Sequence, residues 1–266
     1  FKQKTAYELL RSLVGSEMCI RDRSIGELTD AVKSFEKAIA IKPNFTDAYY
    51  NLGITFQELN MLEAAVKNYE KALEIQPKYA IVHNNLGIVF KELGQIHDSI
   101  RSYEKAIASQ PDFPEAHNNL GNAFRENGQL DEAIKFYEKA IALNSEFSDA
   151  YNNVGIALFE LGQPNDAIKF YEKALEIEPS YTEVYNNLGN ALKETGQQDN
   201  AVKSYESAIA LQSDYADAHY NLGVIFQDLD KLEDAVRSYK ASIFFQSDYV
   251  DAHYNLGILF LETSQL

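Results

Sequence analysis

The chain has 266 residues, 45% hydrophobic and 12% aromatic, with only 13 Gly and 6 Pro, a composition that excludes a disordered or collagen-like polypeptide. Its formal net charge of −16 sets the overall field against a sequence-independent grip on phosphate backbones, so nucleic acid is not expected as a partner. The single cysteine, Cys19, excludes an intrachain disulfide and a thiolate metal cluster, and suits a reducing compartment, cytoplasmic or nuclear. No apolar run approaches the roughly 18 residues of a membrane-spanning helix, and no membrane partner is expected.

The first 23 residues, FKQKTAYELLRSLVGSEMCIRDR, share no register with the rest of the chain and resemble translated sequencing-adapter read-through. They are expected to be a non-native leader and are set aside. From there a period takes over: Gly53, Gly87, Gly121, Gly155, Gly189, Gly223 and Gly257 stand 34 residues apart without a slip. A fixed period of this length means stacked copies of one small unit. Residues 24–45 read as the second helix of an incomplete copy. Six full copies occupy 46–79, 80–113, 114–147, 148–181, 182–215 and 216–249, and 250–266 reads as the first helix of a truncated seventh, so the chain is expected to be an internal piece of a longer array.

Within copy 1, Ala48, Tyr49, Leu52, Phe56 and Leu59 recur at spacings of three and four and gather on one stripe of a helix. Ala65, Val66, Tyr69, Ala72, Leu73 and Ile75 form the stripe of a second helix, closed by Pro77, which cannot continue it. Small residues at Gly53, Ala65 and Ala72 let helix axes approach, and the bulk of Phe56 and Tyr69 fills the space they leave. Thr46, Ser148 and Thr182 are placed to act as N-caps, with Asp47, Asp149 and Glu183 just inside, where the helix dipole favours a negative charge.

The 34-residue period, the Leu-Gly pair and the later Ala, Tyr, Ala and Pro columns resemble the tetratricopeptide repeat (TPR) over residues 24–266. The departures are Ser99 for the usual Ala, and Ser145, Ser213 and Ser247 for the terminal Pro. The resemblance implies an all-α fold, a right-handed α-solenoid of antiparallel helix pairs in which the first-helix faces line a concave inner surface.

On that face Asn51, Asn85, Asn119, Asn153, Asn187, Asn221 and Asn255 form a column of amides, each able to donate and to accept, as an extended peptide backbone requires. Beside it runs an acidic column, Glu58, Glu92, Glu126, Glu160, Glu194, Asp228 and Glu262, at helix ends where a negative charge opposes the dipole. These two columns are the candidate peptide-binding residues. A second acidic column, Asp47, Glu115, Asp149, Glu183, Asp217 and Asp251, is broken by Ile81, and capping alone would favour it. An aromatic column, Phe45, Tyr79, Phe113, Phe147, Tyr181, Tyr215 and Tyr249, is expected to plug the seams between copies. The second helices repeat mixed charges such as Lys67, Glu70 and Lys71, which suit a solvated exterior.

No catalytic constellation emerges. His83, His117, His219 and His253 occupy the column that holds Tyr49, Tyr151 and Tyr185, so they read as core substitutes for an aromatic rather than as metal ligands. Phosphate-cradling glycine loops, H-E-x-x-H and nucleophile elbows do not occur. No enzyme activity, cofactor or metal is expected of these residues. The sequence reads as an interaction scaffold for extended, basic or neutral polypeptide segments. The clamp for acidic chaperone tails found in some TPR proteins needs a basic inner face, whereas here Lys91, Arg125 and Lys193 are its only basic column. The phrases NFTDAYYNLG, NALKETG and FPEAHNNLGNAFRENG are similar to the TPR array of O-linked N-acetylglucosamine transferases, which implies the alternative of a substrate-selecting arm joined to a catalytic domain beyond Leu266. A structural subunit that binds folded partners along its outer face is a third reading. Oligomeric state is not legible in the sequence.

Overall fold

The computed structural model describes residues 26–263, with side chains through Leu261; the leader at 1–23 and the side chain of Glu262 lie outside the described residues. Among those residues every regular element is an α-helix. Helix α1 covers 26–41. The first (A) helices of the copies are α2 (Thr46–Glu58), α4 (Ala80–Glu92), α6 (Pro114–Glu126), α8 (Ser148–Glu160), α10 (Thr182–Glu194), α12 (Ala216–Asp228) and α14 (Val250–Thr263). The second (B) helices are α3 (Leu62–Ile75), α5 (Ile96–Ser109), α7 (Leu130–Leu143), α9 (Pro164–Ile177), α11 (Gln198–Leu211) and α13 (Leu232–Phe245).

The helices fall into two compact units, one ending at Ala123 and one beginning at Phe124. In the first unit α2, α3, α4 and α5 pack each on the next. In the second the same serial packing runs from α7 to α14. The interhelix layers are apolar and buried: Ala65, Tyr69, Ala72, Val82, Leu86 and Val89 form a cluster in the first unit. Ala133, Tyr137, Val154, Ala157, Tyr171, Ala174 and their neighbours form one in the second.

What sets the spacing inside a copy is a glycine lying against a tyrosine ring. A Cβ built on Gly53 would sit 2.5 Å from Cε1 of Tyr69, and the same overlap recurs at Gly87 on Tyr103, Gly155 on Tyr171, Gly189 on Tyr205 and Gly223 on Tyr239. Those rings are almost wholly buried and cannot swing aside, so only hydrogen fits there. Gly257, whose A helix packs on the preceding α13 but on no B helix of its own copy among the described residues, would meet nothing within 4 Å.

The A helices from α2 to α12 stop by one device. Gly94, at φ 71°, sends its N–H to Lys91 O, and Gln95 N–H reaches back to Phe90 O at 2.8 Å, a Schellman closure that requires a left-handed residue. Gly128, Gly162 and Gly196 repeat it with positive φ, whereas Asn60 and Asp230 hold the same backbone without the freedom of glycine.

Helix starts differ from expectation. Thr46, Ser148 and Thr182 are the first helical residues, and the cap position one step earlier belongs to the aromatics Phe45, Phe147 and Tyr181, with no side-chain cap hydrogen bond. The cause is the seam: the ring needed between copies takes the position a capping hydroxyl would have used. Ser148 Oγ instead donates to Glu178 Oε2, 2.7 Å away.

The histidines are more than ring substitutes. His83 Nε2 bonds Pro77 O at 2.9 Å, and His117, His219 and His253 bond Pro111 O, Ser213 O and Ser247 O at 3.0 Å. Each fastens its A helix to the turn that closes the preceding B helix, a bond to the carbonyl that the histidine ring makes through its own nitrogen.

Gly155→Ala should lower stability by about 1–3 kcal/mol through overpacking, although Gly→Ala in a helix interior ordinarily stabilises; Gly257→Ala should be neutral or stabilising, and urea melts of the two variants compare them. Burial, with a weaker effect of Lys105, holds the His83 pKa below its ordinary 6.5 against the opposing pull of its bond to Pro77. The stability this neutral ring contributes is complete above about pH 6.5 and is lost as pH falls through the depressed folded value. Thermal melts between about pH 7.5 and pH 5 should therefore drop less in His83→Tyr than in the parent chain.

Candidate functional site

Adjacent A helices meet in a register of 35 residues, one more than the sequence period, because neighbouring helices are staggered by one position. This offset decides which side chains touch. In the first unit Asn119 Nδ2 donates to Asn84 Oδ1 at 3.0 Å, and Asn85 Nδ2 lies 3.5 Å from the hydroxyl of Tyr50. In the second unit Asn187 Nδ2 donates to Asn152 Oδ1 at 3.2 Å and Asn221 Nδ2 to Asn186 Oδ1 at 3.0 Å. Asn255 Nδ2 donates to the hydroxyl of Tyr220 at 3.3 Å.

The candidate amides Asn51, Asn85, Asn119, Asn153, Asn187, Asn221 and Asn255 are all half-buried. The acceptors Asn84, Asn152 and Asn186 are buried. The structure therefore gives the amide column a partner column that periodicity alone does not single out, though the doublets Asn84-Asn85, Asn118-Asn119, Asn152-Asn153 and Asn186-Asn187 carry it in plain view. With one N–H of Asn119, Asn187 and Asn221 held by the preceding copy, the carbonyl oxygen of each remains available as an acceptor.

The core tyrosines emerge on this same face. Tyr69 and Tyr239 hydroxyls donate to Gln57 Oε1 and Gln227 Oε1 at 3.2 and 2.9 Å, and the Tyr205 hydroxyl to Asn190 Oδ1 at 2.8 Å. Burial pushes the Tyr239 phenol up to about 12, opposed by its bond from Asn255, so the group stays protonated and donating.

Glu58, Glu92, Glu126, Glu160, Glu194 and Asp228 are exposed. Two of them also bridge copies: Gln57 Nε2 donates to Glu92 Oε1 at 3.1 Å, and Arg125 Nη1 pairs with Glu160 Oε1 at 2.9 Å. These contacts have the same 35-residue register, and they supply a local reason for a carboxylate at a helix end that the dipole disfavours.

The second acidic column is tied into the seams. The hydroxyls of Tyr181 and Tyr249 donate to Asp149 Oδ1 and Asp217 Oδ1 at 2.6 and 2.8 Å, with a longer approach of Tyr79 to Asp47 at 3.5 Å. The spacing is 32 residues; 32 residues before Phe113, which has no hydroxyl, stands Ile81, the one non-acidic member of its column, whereas Phe147 likewise lacks a hydroxyl and still follows Glu115. Burial and then the Asp149 carboxylate drive the Tyr181 phenol strongly upward, fixing it as the donor. Among the described residues no group of three or more His, Cys, Asp or Glu side chains could hold a metal ion, and no helix is long and apolar enough to cross a membrane.

Loss of this clasp is measurable. Tyr181→Phe should cost about 0.5–1 kcal/mol, the modest value reflecting an exposed carboxylate. In an Asp149→Ala background the same substitution should cost almost nothing, and a double-mutant cycle by urea denaturation reads the difference.

Family models of the TPR repeat match residues 21–60, 55–94, 89–127 and 189–230, and further models of the tetratricopeptide repeat match 112–180 and 170–203. Among solved structures the chain is similar to the MamA protein, with 29% identity, a TM-score of 0.57, and coverage of 64% of this chain and 93% of that one. It is also similar to YrrB, described as a TPR protein with an unusual peptide-binding site, with 25% identity, a TM-score of 0.57, and coverage of 74% and 98% respectively. A likeness to pilF of Pseudomonas aeruginosa, at 21% identity, a TM-score of 0.70 and coverage of 80% and 96%, speaks to fold alone. The comparison with curated proteins gave no match.

Proposed function

We propose that this chain, which belongs to the tetratricopeptide repeat family, is a protein-interaction module that takes up extended polypeptide segments along its A-helix face. The observation that carries the reading is the cross-copy amide pairing. An amide held by Asn84, Asn152 or Asn186 is fixed in orientation before any ligand arrives, which lowers the ordering cost of binding. The freed oxygens of Asn119, Asn187 and Asn221 are suited to the N–H groups of an extended backbone, which supports peptide capture without demanding a particular sequence. The peptide-binding site reported for YrrB is consistent with such use of this fold.

Charge narrows the partner. The exposed carboxylates beside the amides, in a chain of net charge −16, favour segments carrying Lys or Arg over acidic ones. Their contribution is to steering and selection, while the amides supply position.

The test uses the whole chain and a labelled, unstructured Gly/Ser peptide bearing several lysines. Asn187→Ala combined with Asn221→Ala should weaken binding about tenfold or more, the loss of two hydrogen bonds to the peptide. The melt should fall as well, because Asn152 and Asn186 lose their donors, so binding is measured well below it. Lys67→Ala with Lys71→Ala, on the B-helix exterior, should leave affinity unchanged. Wild-type affinity in the asparagine variant would remove the ladder from the binding site. Binding should also weaken as salt is raised; insensitivity to salt would remove the basic preference.

A further inference from the structure

At two positions on the side formed by the B helices the copies divide: copies 3, 4 and 6 carry an aromatic ring at one of them, copies 1, 2 and 5 at neither, and copy 2 alone has serine at both. Where copies 3 and 4 carry Phe136 and Phe170, it carries Ser102. Phe136 stacks on Phe124 with ring centroids 5.3 Å apart and planes 13° apart. Phe170 lies against Tyr151, centroids 6.4 Å apart. In copy 6 the ring comes from further along the B helix, Phe245, which stacks on His219 at 5.4 Å; copy 2 has Ser109 there.

Both ring-supplying positions of copy 2 are therefore serine, and both serines turn inward to their own helix, Ser102 Oγ donating to Asp98 O and Ser109 Oγ to Lys105 O, each at 2.8 Å. The counterparts of the rings that Phe136, Phe170 and Phe245 cover are Phe90 and His83. These two line an open crevice of about 920 Å³ with Leu86, Ser102 and, from the side of α3, Leu73 and Pro77. All these residues belong to the first unit.

The rim has a charge character of its own. Arg101 is paired with Asp98 at 3.4 Å and Glu74 with Lys71 at 2.6 Å. Lys78 and Lys105 line the crevice and have no carboxylate within ion-pair distance among the described residues, against the single unpaired Glu70. The lining carries three carboxylates, Glu70, Glu74 and Asp98, and three cations, Lys78, Arg101 and Lys105, so in a strongly acidic chain the mouth is charge-balanced, with two lysines placed to meet an acidic ligand over an apolar floor.

We propose that this crevice is a docking site for a Phe or Tyr side chain of a partner polypeptide that carries acidic residues beside the ring. The chain itself shows an occupant: copies 3, 4 and 6 lay a benzyl group of their own over the equivalent place, while copies 1 and 5, with Asn68 and Ile75 and with Ser204 and Leu211, do not. The site is separate from the amide column, and its chemistry is opposite, acidic rather than basic ligands being favoured.

The probe is the capped tripeptide acetyl-Asp-Phe-Asp-amide, titrated into the whole chain and followed by the NMR signals of the His83 and Phe90 rings. Saturable shifts are expected, with affinity about tenfold weaker when Leu replaces Phe and weaker again when Lys replaces Asp. Ser102→Phe should raise the melt and abolish the shifts; Ser102→Leu serves the same end if the larger ring fails to fold. Phe170→Ser should open a second crevice and add saturable shifts around Tyr151. Absence of saturable shifts in the parent chain, or identical shifts in Ser102→Phe, overturns the proposal. So does concentration-dependent dimerisation of the parent chain that Ser102→Phe abolishes, which would assign the crevice to a second copy.

Discussion

The contact of a bare glycine Cα with the face of a buried tyrosine is the constraint on which the other features rest. It brings the A and B helices of a copy closer than any side chain would allow, with a Cβ on Gly155 falling 2.5 Å from Tyr171 Cε1. Truncating such a buried ring would cost about 3–5 kcal/mol, so the pair supplies much of the cohesion of its copy. Its second effect is positional. Because the ring is held on the glycine, its hydroxyl emerges on the A-helix face, where Tyr69, Tyr205 and Tyr239 meet Gln57, Asn190 and Gln227. Packing in the interior thereby orients polar groups on the surface that faces a ligand.

Between copies the polar contacts take over. Amide to amide and histidine to turn carbonyl cross from one copy to the next, each giving a partner to a group that the interface covers, while tyrosine to aspartate ties the two ends of a single copy together. They specify register where apolar packing of similar helices would tolerate a slip. The same logic explains why the acidic residues divide into two kinds. Asp149 and Asp217 are committed to seam tyrosines, while Glu58 and its counterparts stand exposed beside the amides.

The helix pairs, the core columns and the candidate face are legible because a repeated sequence displays its own alignment: apolar periodicity marks the stripes, and Pro77 and its equivalents mark the ends. What stays hidden is which column meets which. A period of 34 aligns like with like, but adjacent A helices touch at 35 and seam residues at 32, offsets that belong to the three-dimensional stagger. Hence nothing in the repeat marks Asn84 and Asn152 as partners, although they adjoin asparagines of the candidate column. Thr46, Ser148 and Thr182 invite a capping assignment because their chemistry suits that role; the rings at Phe45, Phe147 and Tyr181 displace them for reasons visible only at the seam.

The amide pairs all point one way, each asparagine donating to the copy before it. Such a one-way handshake makes copies interchangeable at their boundaries: removing or duplicating a whole 34-residue block from the middle rejoins an asparagine donor to an asparagine acceptor, whereas an insertion within an A helix would shift the donor off its acceptor. Genes built this way can lengthen or shorten their product in whole steps while every new junction arrives already fitted.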